Sequence, residues 1–433
     1  MEHIYRVDAQ SGKLSLSLHS AQSQVWRSNR RFVFFIAGTQ SGKTSLGPWW
    51  LWREIERCGA GDYLAVTSSY DLFKLKMLPA LRECFEEVMN VGRYWSGDRV
   101  IELKNPATGR FAAERADDPM WGRIILRSAQ TSTGLESATA KGAWLDECGQ
   151  DEFGLDSWEA VLRRLSLAQG RVLGTTTPYN LGWLYTEVYQ RWVKRDPSYH
   201  VTQARSTVNP AFPLAEFLRA QGTMAEWKFR MFYQGLFERP ENLIYSAFNL
   251  TRHVVDPFEV PKNWPRYVGV DFGAINTALV WLAENPASGE FFAYRESLDG
   301  NRTTAEHAAA ALQTAHGENV VIWTGGSDSE KQERWDWRSH GVHVRPPVVW
   351  SVEAGIDRVI ELLKQDRLRV MRHCRGLIDE FGSYRRKQDQ TGETTEEIKD
   401  KRKFHRLDAL RYVAQVLPAF VRYAASAYPE KQS

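Results

Sequence analysis

The chain has 433 residues, enough for two or three domains, and its 43% hydrophobic and 25% charged content is that of a folded globular protein, not a disordered one. A formal net charge of +3 is too small to argue for a nucleic-acid partner by itself, so that reading needs local features. Four scattered cysteines (Cys58, Cys84, Cys148 and Cys374) form no C-x-x-C pair, which excludes a zinc cluster of that kind and fits a reducing compartment.

The opening MEHIYRVDAQ has no apolar signal core, and no stretch reaches the roughly 18 apolar residues of a membrane span. A soluble cytoplasmic protein is expected. In the first half, apolar runs alternate with amphipathic stretches, the pattern of a parallel α/β sheet, with strands expected at 32–36, 63–67, 124–127, 143–145 and 172–174. From about 206 the pattern loosens into short helical pieces, read as a connecting subdomain. The second half then offers three successive strands at 267–270, 278–283 and 291–295. A helix with a Thr303/Glu306 capping box follows, then strands at 320–323 and 342–344, a helix at 352–364, a strand at 368–371 and helices to the end. Three antiparallel strands followed by alternating strands and helices is a ribonuclease-H-like layout. The expected division is 1–205 for a P-loop domain with a parallel sheet, 206–255 for the connecting subdomain and 256–433 for the ribonuclease-H-like domain.

Two sets of residues carry chemistry. The segment FVFFIAGTQSGKTS runs an apolar strand through a small-residue turn, Gly38-Thr39-Gln40-Ser41-Gly42, into Lys43-Thr44. Backbone N–H groups of such a turn can curl round phosphates, Lys43 can reach the β/γ oxygens and Thr44 can ligate Mg²⁺. Ala37 stands where the motif asks for its first glycine, and Pro48 breaks the following helix pattern. A hundred residues on, Asp146-Glu147 ends an apolar strand. Asp146 suits the Mg²⁺ shell and Glu147 the polarising of an attacking water. Thr175-Thr176-Thr177 ends the next strand with hydroxyls suited to sensing a γ-phosphate. In the second half, Asp271 ends its first strand, Asp328 follows a later strand after Gly325-Gly326, and Asp408 shares a helix face with His405 and Tyr412. These three acids are expected to converge. Carboxylates about 4 Å apart repel by roughly 4 kcal/mol at an effective dielectric near 20, so convergence implies Mg²⁺ or Mn²⁺, and with it phosphodiester hydrolysis.

The passages LHSAQSQVWRS, FVFFIAGTQSGKT, AWLDECG and GRVLGTTTPYN, followed by YVGVDFG, SDSEKQ and KFHRLDALRY, resemble the large subunit of tailed-bacteriophage DNA-packaging terminases from Gln22 to Tyr412. The resemblance implies a RecA/ASCE-like ATPase joined to a ribonuclease-H-like nuclease, with Gln22 at adenine and Thr175–Thr177 as a coupling segment. It also implies a viral DNA-packaging motor: ATP with Mg²⁺, double-stranded DNA driven into a procapsid, and an endonuclease that cuts concatemers and accepts Mn²⁺. The implied partners are a portal protein, a small terminase subunit and further copies in a ring. The implied place is the host cytoplasm and, transiently, the portal, not the mature virion. The chain departs from the pattern at Thr39 and Gln40, where many relatives carry an arginine, so a neighbouring subunit's arginine becomes the expected substitute, with Arg163 and Arg164 as candidates. Phe404 and Trp350 stand where relatives often have an acid and a lysine. A helicase–nuclease of DNA repair, and a nucleotide-switched assembly protein without nuclease activity, remain open alternatives.

Two further patches are ambiguous in sequence. Arg385-Arg386-Lys387 and the basic run 399–403 flank QDQTGETTEE, either a DNA-contacting hairpin or a solvated loop. The stretch 334–338 interleaves arginine and tryptophan, which a helix with buried tryptophans also explains. His373-Cys374 reads as core.

Overall fold

The computed structural model describes residues 4–8, 10–112, 120–129, 139–273, 275–389 and 393–418. It divides into two compact units, Met1–Glu241 and Asn242–Ser433. Among the described residues, no helix is long and apolar enough to cross a membrane.

The first unit opens with a small hairpin, β1 (Tyr5–Val7) and β2 (Leu14–Leu16), then α1 (Ser20–Arg27), β3 (Phe32–Ala37), α2 (Lys43–Cys58) and β4 (Gly61–Thr67). Short helices α3 (Tyr70–Leu72) and α4 (Leu78–Arg82) are joined and followed by wider π-type turns. There follow β5 (Gly92–Trp95), β6 (Val100–Leu103), β7 (Gly122–Ser128), β8 (Ala140–Asp146), α5 (Leu155–Leu165) and β9 (Arg171–Thr176). The unit closes with α6 (Gln190–Val193), β10 (Tyr199–Ala204), α7 (Leu214–Thr223) and α8 (Glu226–Phe232).

Its main sheet runs β10-β3-β9-β8-β4-β7-β6-β5, parallel from β10 through β7 and antiparallel in the last two strands. All six residues of β3 and of β9 are buried, as strands covered on both faces must be. One strand, β9, separates the phosphate-turn strand β3 from the acid-bearing strand β8, so all three chemical segments leave the same sheet edge. Strand β10 was not expected; its YHVTQA is half polar, which suits the edge position it takes beside β3.

The second unit contains α9 (Leu250–His253), β11 (Val254–Val255), β12 (Arg266–Asp271), β13 (Asn276–Glu284), β14 (Phe291–Gly300), α10 (Thr304–Thr314) and β15 (Val320–Gly325). Then come α11 (Lys331–Ser339), β16 (Val344–Arg345), α12 (Val352–Lys364), β17 (Leu368–Met371), α13 (Arg375–Ser383), the hairpin β18 (Arg386–Gln388) and β19 (Thr394–Ile398), and α14 (His405–Ala414). The sheet order is β11-β17-β14-β13-β12-β15-β16. Strands β12, β13 and β14 form the expected antiparallel meander, and β15 joins β12 in parallel. The Thr303/Glu306 capping box is present at α10. Strand β17 joins the far edge beside β14, not β16.

The stretch 206–255 divides between the units. Helices α7 and α8 bury Phe217, Ala220 and Phe229 within the first unit. In the second, Leu243 bridges to Arg385 and β11 pairs with β17, so residues from 242 onward are tied to that unit's own strands.

Candidate functional site

In the first unit, β3 ends at Ala37 and the chain curls into α2, with Gln40 at φ 57 and Gly42 at φ 81. A Cβ on Gly38 would lie 2.2 Å from the Tyr233 carbonyl oxygen, so only glycine fits there. Ala37 needs no such freedom, because it is still a strand residue paired with Ala204. The close approach comes from the other side: Gly235 (φ 70) brings its backbone so near that a Cβ would be 2.8 Å from Ala37 Cα. Two N–H groups of the turn are donated within the unit, Gly38 to Ala204 at 2.9 Å and Thr39 to Phe232 at 2.7 Å.

Lys43 is buried, and its Nζ donates to the carbonyls of Ala37 (2.9 Å) and Gly38 (2.7 Å). Burial pushes its ammonium down to about 8 against the pull of Glu147 and Asp146. Thr44 Oγ1 lies 3.2 and 3.1 Å from the two Asp146 carboxylate oxygens, and Thr175 Oγ1 donates to Asp146 Oδ1 at 2.7 Å. Trp144 Nε1 in turn donates to Thr175 Oγ1 at 2.8 Å. Burial, with Glu147's charge added, pushes Asp146 up to about 7, and the Thr175 and Thr44 hydroxyls pull it back.

Glu147 is buried at φ 51, its N–H donated to the Thr175 carbonyl at 2.7 Å. A non-glycine residue in that conformation is uncommon and turns the chain sharply after Asp146. Thr176 faces the other way, accepting from Gly149 N–H at 2.9 Å and donating to the Thr177 carbonyl at 2.9 Å, and Thr177 is buried beside it. The strand's alternation therefore gives Thr175 to the acid and Thr176 to the turn.

Helix α2 sits tight on β8. A Cβ on Gly47 would be 1.9 Å from Trp144 Cε2, so glycine lets the helix bearing Lys43 and Thr44 approach the strand bearing Asp146. Pro48 follows as a buried member of the same helix. No physical account of it emerges.

Gln22 is buried and fully engaged by the protein, its Nε2 donating to the Gly42 carbonyl at 2.9 Å and its Oε1 accepting from His19 N–H at 3.2 Å. His19, which the motif reading left out, bonds the Ser41 carbonyl through Nε2 at 2.9 Å and accepts Gln22 N–H at Nδ1. These partners make it a neutral ring with its proton on Nε2, and burial lowers its pKa. The signal was available: HSAQ has capping-box spacing with histidine in the serine place. Ser41 is fully buried, and Asn209 Nδ2 donates to the Gln40 carbonyl at 2.7 Å. Arg163 and Arg164 lie in the last turn of α5, with Arg163 exposed.

In the second unit, α14 crosses β12 at Gly269, where a Cβ would be 2.0 Å from the Ala409 carbonyl oxygen. That crossing brings Asp271, at the end of β12, within electrostatic reach of Asp408. His405 Nδ1 donates to Asp271 Oδ2 at 2.9 Å, a bond that raises the histidine's pKa. Burial pushes Asp271 up to about 6; His405 pulls the other way, while the charges of Asp408 and Glu330 add to the rise. Arg411, buried at 2% exposure, grips Asp408 at 2.6 Å.

Asp328 does not take the expected place. Its side chain is 64% exposed and pairs with Lys331 at 3.5 Å. The cause is the Gly325-Gly326 turn: Gly326 at φ 76 diverts the chain, and Ser327 N–H binds the Glu330 carboxylate at 2.5 Å, folding the loop back. The acid from this loop that acts on Asp271 is therefore Glu330, two residues past the one expected. Glu330 opens α11, so an acid just ahead of a helix was the signal available.

The oxygen donors suit Mg²⁺ or Mn²⁺ in kind. Among the described residues, however, no three His, Cys, Asp or Glu side chains gather in a way that could hold a metal ion. Asp271 and Asp408 are instead compensated by His405 and Arg411.

Around this cluster Phe404 is buried in the core with its ring edge-on to Tyr384. Trp350 is 45% exposed, with the Arg334 guanidinium 5.4 Å from its ring. In α11 Trp337 is buried while Trp335 is exposed. The basic segment does form a hairpin, β18 and β19; residues 390–392 of the segment lie outside the described residues, Arg386 pairs with Glu353 and Lys387 with Glu397. Cys374 is buried, as expected of core, whereas His373 is exposed, its ring bonding the Tyr294 carbonyl at 2.6 Å.

No protein-family model matches the chain, and no curated protein matches it. Structural neighbours that cover most of the chain are large terminase structures from several bacteriophages. The large terminase of a thermophilic bacteriophage is 15% identical over 93% of this chain and 99% of its own, with a TM-score of 0.45. That of bacteriophage HK97 is 14% identical over 96% of this chain and 98% of its own, with a TM-score of 0.47. The large terminase ATPase domain of a Thermus phage is 18% identical over 52% of this chain and 95% of its own, with a TM-score of 0.43.

Proposed function

We propose that the chain is the large subunit of a DNA-packaging terminase, hydrolysing ATP to drive double-stranded DNA through a portal into a procapsid and cutting that DNA with its second unit. The observation that carries the motor half is the Thr44–Asp146–Thr175 network, which joins the ends of three neighbouring structural segments at one sheet edge. Gly38, Thr39, Gln40, Ser41, Gly42 and Lys43 would cradle the phosphates. Thr44 and Asp146 would hold Mg²⁺, which when bound neutralises phosphate charge. Glu147 takes the water's proton, and Lys43 swings from its carbonyl partners to the phosphates. Gln22 and His19 support the turn from behind through Gly42 and Ser41. Thr175–Thr177 couple the site to the rest of the unit, and an arginine of a neighbouring copy, Arg163 or Arg164, completes it in a ring.

In the second unit the cutting residues would be Asp271 and Asp408 with Glu330 in place of Asp328; Mg²⁺ or Mn²⁺, which when bound supplies an activated water, would have to draw these carboxylates together and displace His405 or Arg411. The portal, the small terminase subunit, the ring on the procapsid and the host cytoplasm follow from the sequence resemblance. The working division is an ATPase part and a nuclease part, with the stretch 206–255 shared between the two units. The decisive experiment is ATP turnover of Lys43→Ala: a rate about 10²–10³-fold below wild type is expected from losing one preorganised phosphate contact, and wild-type turnover would refute the site. Plasmid nicking in Mn²⁺ by wild type but not by Asp271→Ala is the corresponding test of the second unit.

A second reading is favoured by one observation, the pairing of both acids with cationic side chains. In it the second unit guides DNA without cutting it, and Mn²⁺ titrated into the protein gives no binding heat. A helicase–nuclease has less support, since the second unit's sheet is a meander with flanking strands and not a second parallel motor sheet.

A further inference from the structure

Glu147 is held by a side chain that lies outside the three recognised motifs. Tyr179, two residues past Thr177, donates its hydroxyl to Glu147 Oε2 at 3.2 Å. The Tyr179 hydroxyl oxygen accepts from Gln150 Nε2 at 3.3 Å, and Gln150 Oε1 accepts from Ser68 Oγ at 2.8 Å. Ser68 follows β4, Glu147 and Gln150 follow β8 and Tyr179 follows β9, so the chain of bonds spans the ends of three adjacent strands. With its N–H fixed on the Thr175 carbonyl and Oε2 tied to the phenol, Glu147 is left with Oε1 to accept from water. Burial pushes the Tyr179 phenol well above its ordinary range, so it keeps its proton and donates it to Glu147 while accepting from Gln150.

The other side of Tyr179 faces the helical end of the unit. Its ring lies 5.7 Å from that of Phe232, tilted at 54°. Phe232 ends α8, and its carbonyl accepts the Thr39 N–H of the phosphate turn at 2.7 Å. A shift of Thr39 toward a phosphate would therefore reach Glu147 through two residues, Phe232 and Tyr179.

We propose that Tyr179 is the positioning residue for Glu147, orienting its carboxylate for hydrolysis and linking that orientation to α8 through the Phe232 ring. The inference rests on the ATPase reading above. Tyr179→Phe keeps the ring and its packing and removes only the hydroxyl. In the full-length protein its kcat falls about tenfold, a modest share of the cost of misplacing a reacting group, while KM for ATP and the Kd of a fluorescent ADP stay at wild-type values. Gln150→Ala, which loosens the phenol without touching it, lowers kcat in the same direction. Phe232→Leu keeps the carbonyl bond to Thr39, loses the ring contact and also lowers kcat at constant KM.

A kcat for Tyr179→Phe within about twofold of wild type would overturn the proposal, as would a fall matched by an equal rise in KM. If Tyr179→Phe melts too low to assay, Gln150→Ala decides by the same criteria. Glu147→Gln and Lys43→Ala run alongside separate the two claims. If both hydrolyse like wild type, the ATPase reading fails. If both are inactive and Tyr179→Phe is not slowed, only the positioning role fails.

Discussion

The two acid sites solve the same electrostatic problem in different ways. In the first unit Asp146 and Glu147 are adjacent and buried, and their carboxylates accept from neutral donors: two threonine hydroxyls and a tyrosine. In the second unit Asp271 and Asp408 come from distant segments, and each is met by a cationic or titratable partner, His405 and Arg411. Hydroxyl donors leave the negative charge in place for a cation to find. A guanidinium cancels it, so a metal ion must compete with the protein's own arginine. On the proposed reading, Mg²⁺ would meet neutral donors at the first site, whereas at the second it would have to displace a partner.

Substitutions can break this contrast or sharpen it. The largest effect is expected from Glu147→Gln, which leaves the hydroxyl cage intact and removes the proton acceptor; steady-state ATP turnover should fall about 10²–10⁴-fold with nucleotide binding retained. Next is Arg411→Met. Removing one partner of a buried ion pair costs about 3–5 kcal/mol, and thermal melts in chelator should show that loss in the second unit. Millimolar Mn²⁺ should restore much of it if a cation can stand where the guanidinium stood. Failure of Mn²⁺ to restore stability would favour the guiding, non-cutting reading.

A smaller effect comes from the glycines that seat a helix at each site. Gly47→Ala meets Trp144 and Gly269→Ala meets the Ala409 carbonyl; overpacking of this kind costs about 1–3 kcal/mol each. Denaturation should show similar losses, but ATP turnover should drop only in the first and nicking only in the second.

The smallest effect is in pH dependence. Asp271 holds its proton more tightly in the folded unit than in the unfolded chain, because burial raises its pKa from 3.8 to about 6. Its stabilising share is complete below about pH 4 and is lost as pH passes about 6. His405, also raised, loses its share as pH rises further. Asp271→Asn should flatten the acid part of this profile and, at neutral pH without metal, melt about 2–4 °C higher, the shift that ~1 kcal/mol produces in a unit of this size. A lower melting point would show that the charged pair with His405 outweighs the burial cost.

Much of the fold is legible in the residues. The apolar runs at β3, β4, β8 and β9 and the exact bounds of α12 and β17 follow from periodicity. Strand β10 is not legible, because an edge strand lacks the continuous apolar run of a covered one. In the proposed ATP site the phosphate-type turn and the acid pair are visible because each is a contiguous string at a strand end. Tyr179 is not, since what it contacts lies far off in the chain, whereas His19 shows only through its capping-box spacing to Gln22.

By themselves, the residues determine that a phosphate-type turn, an acid pair and a hydroxyl run each end an apolar strand, because those features are local and a strand's end fixes where they point. Only the tertiary structure decides which acid joins Asp271. The Gly325-Gly326 turn sends Asp328 to solvent and returns Glu330, since a left-handed glycine changes the path of everything after it. That Arg411 meets Asp408 is local, an i,i+3 pair on α14, but only the packing of that helix buries the arginine and so makes its partner indispensable.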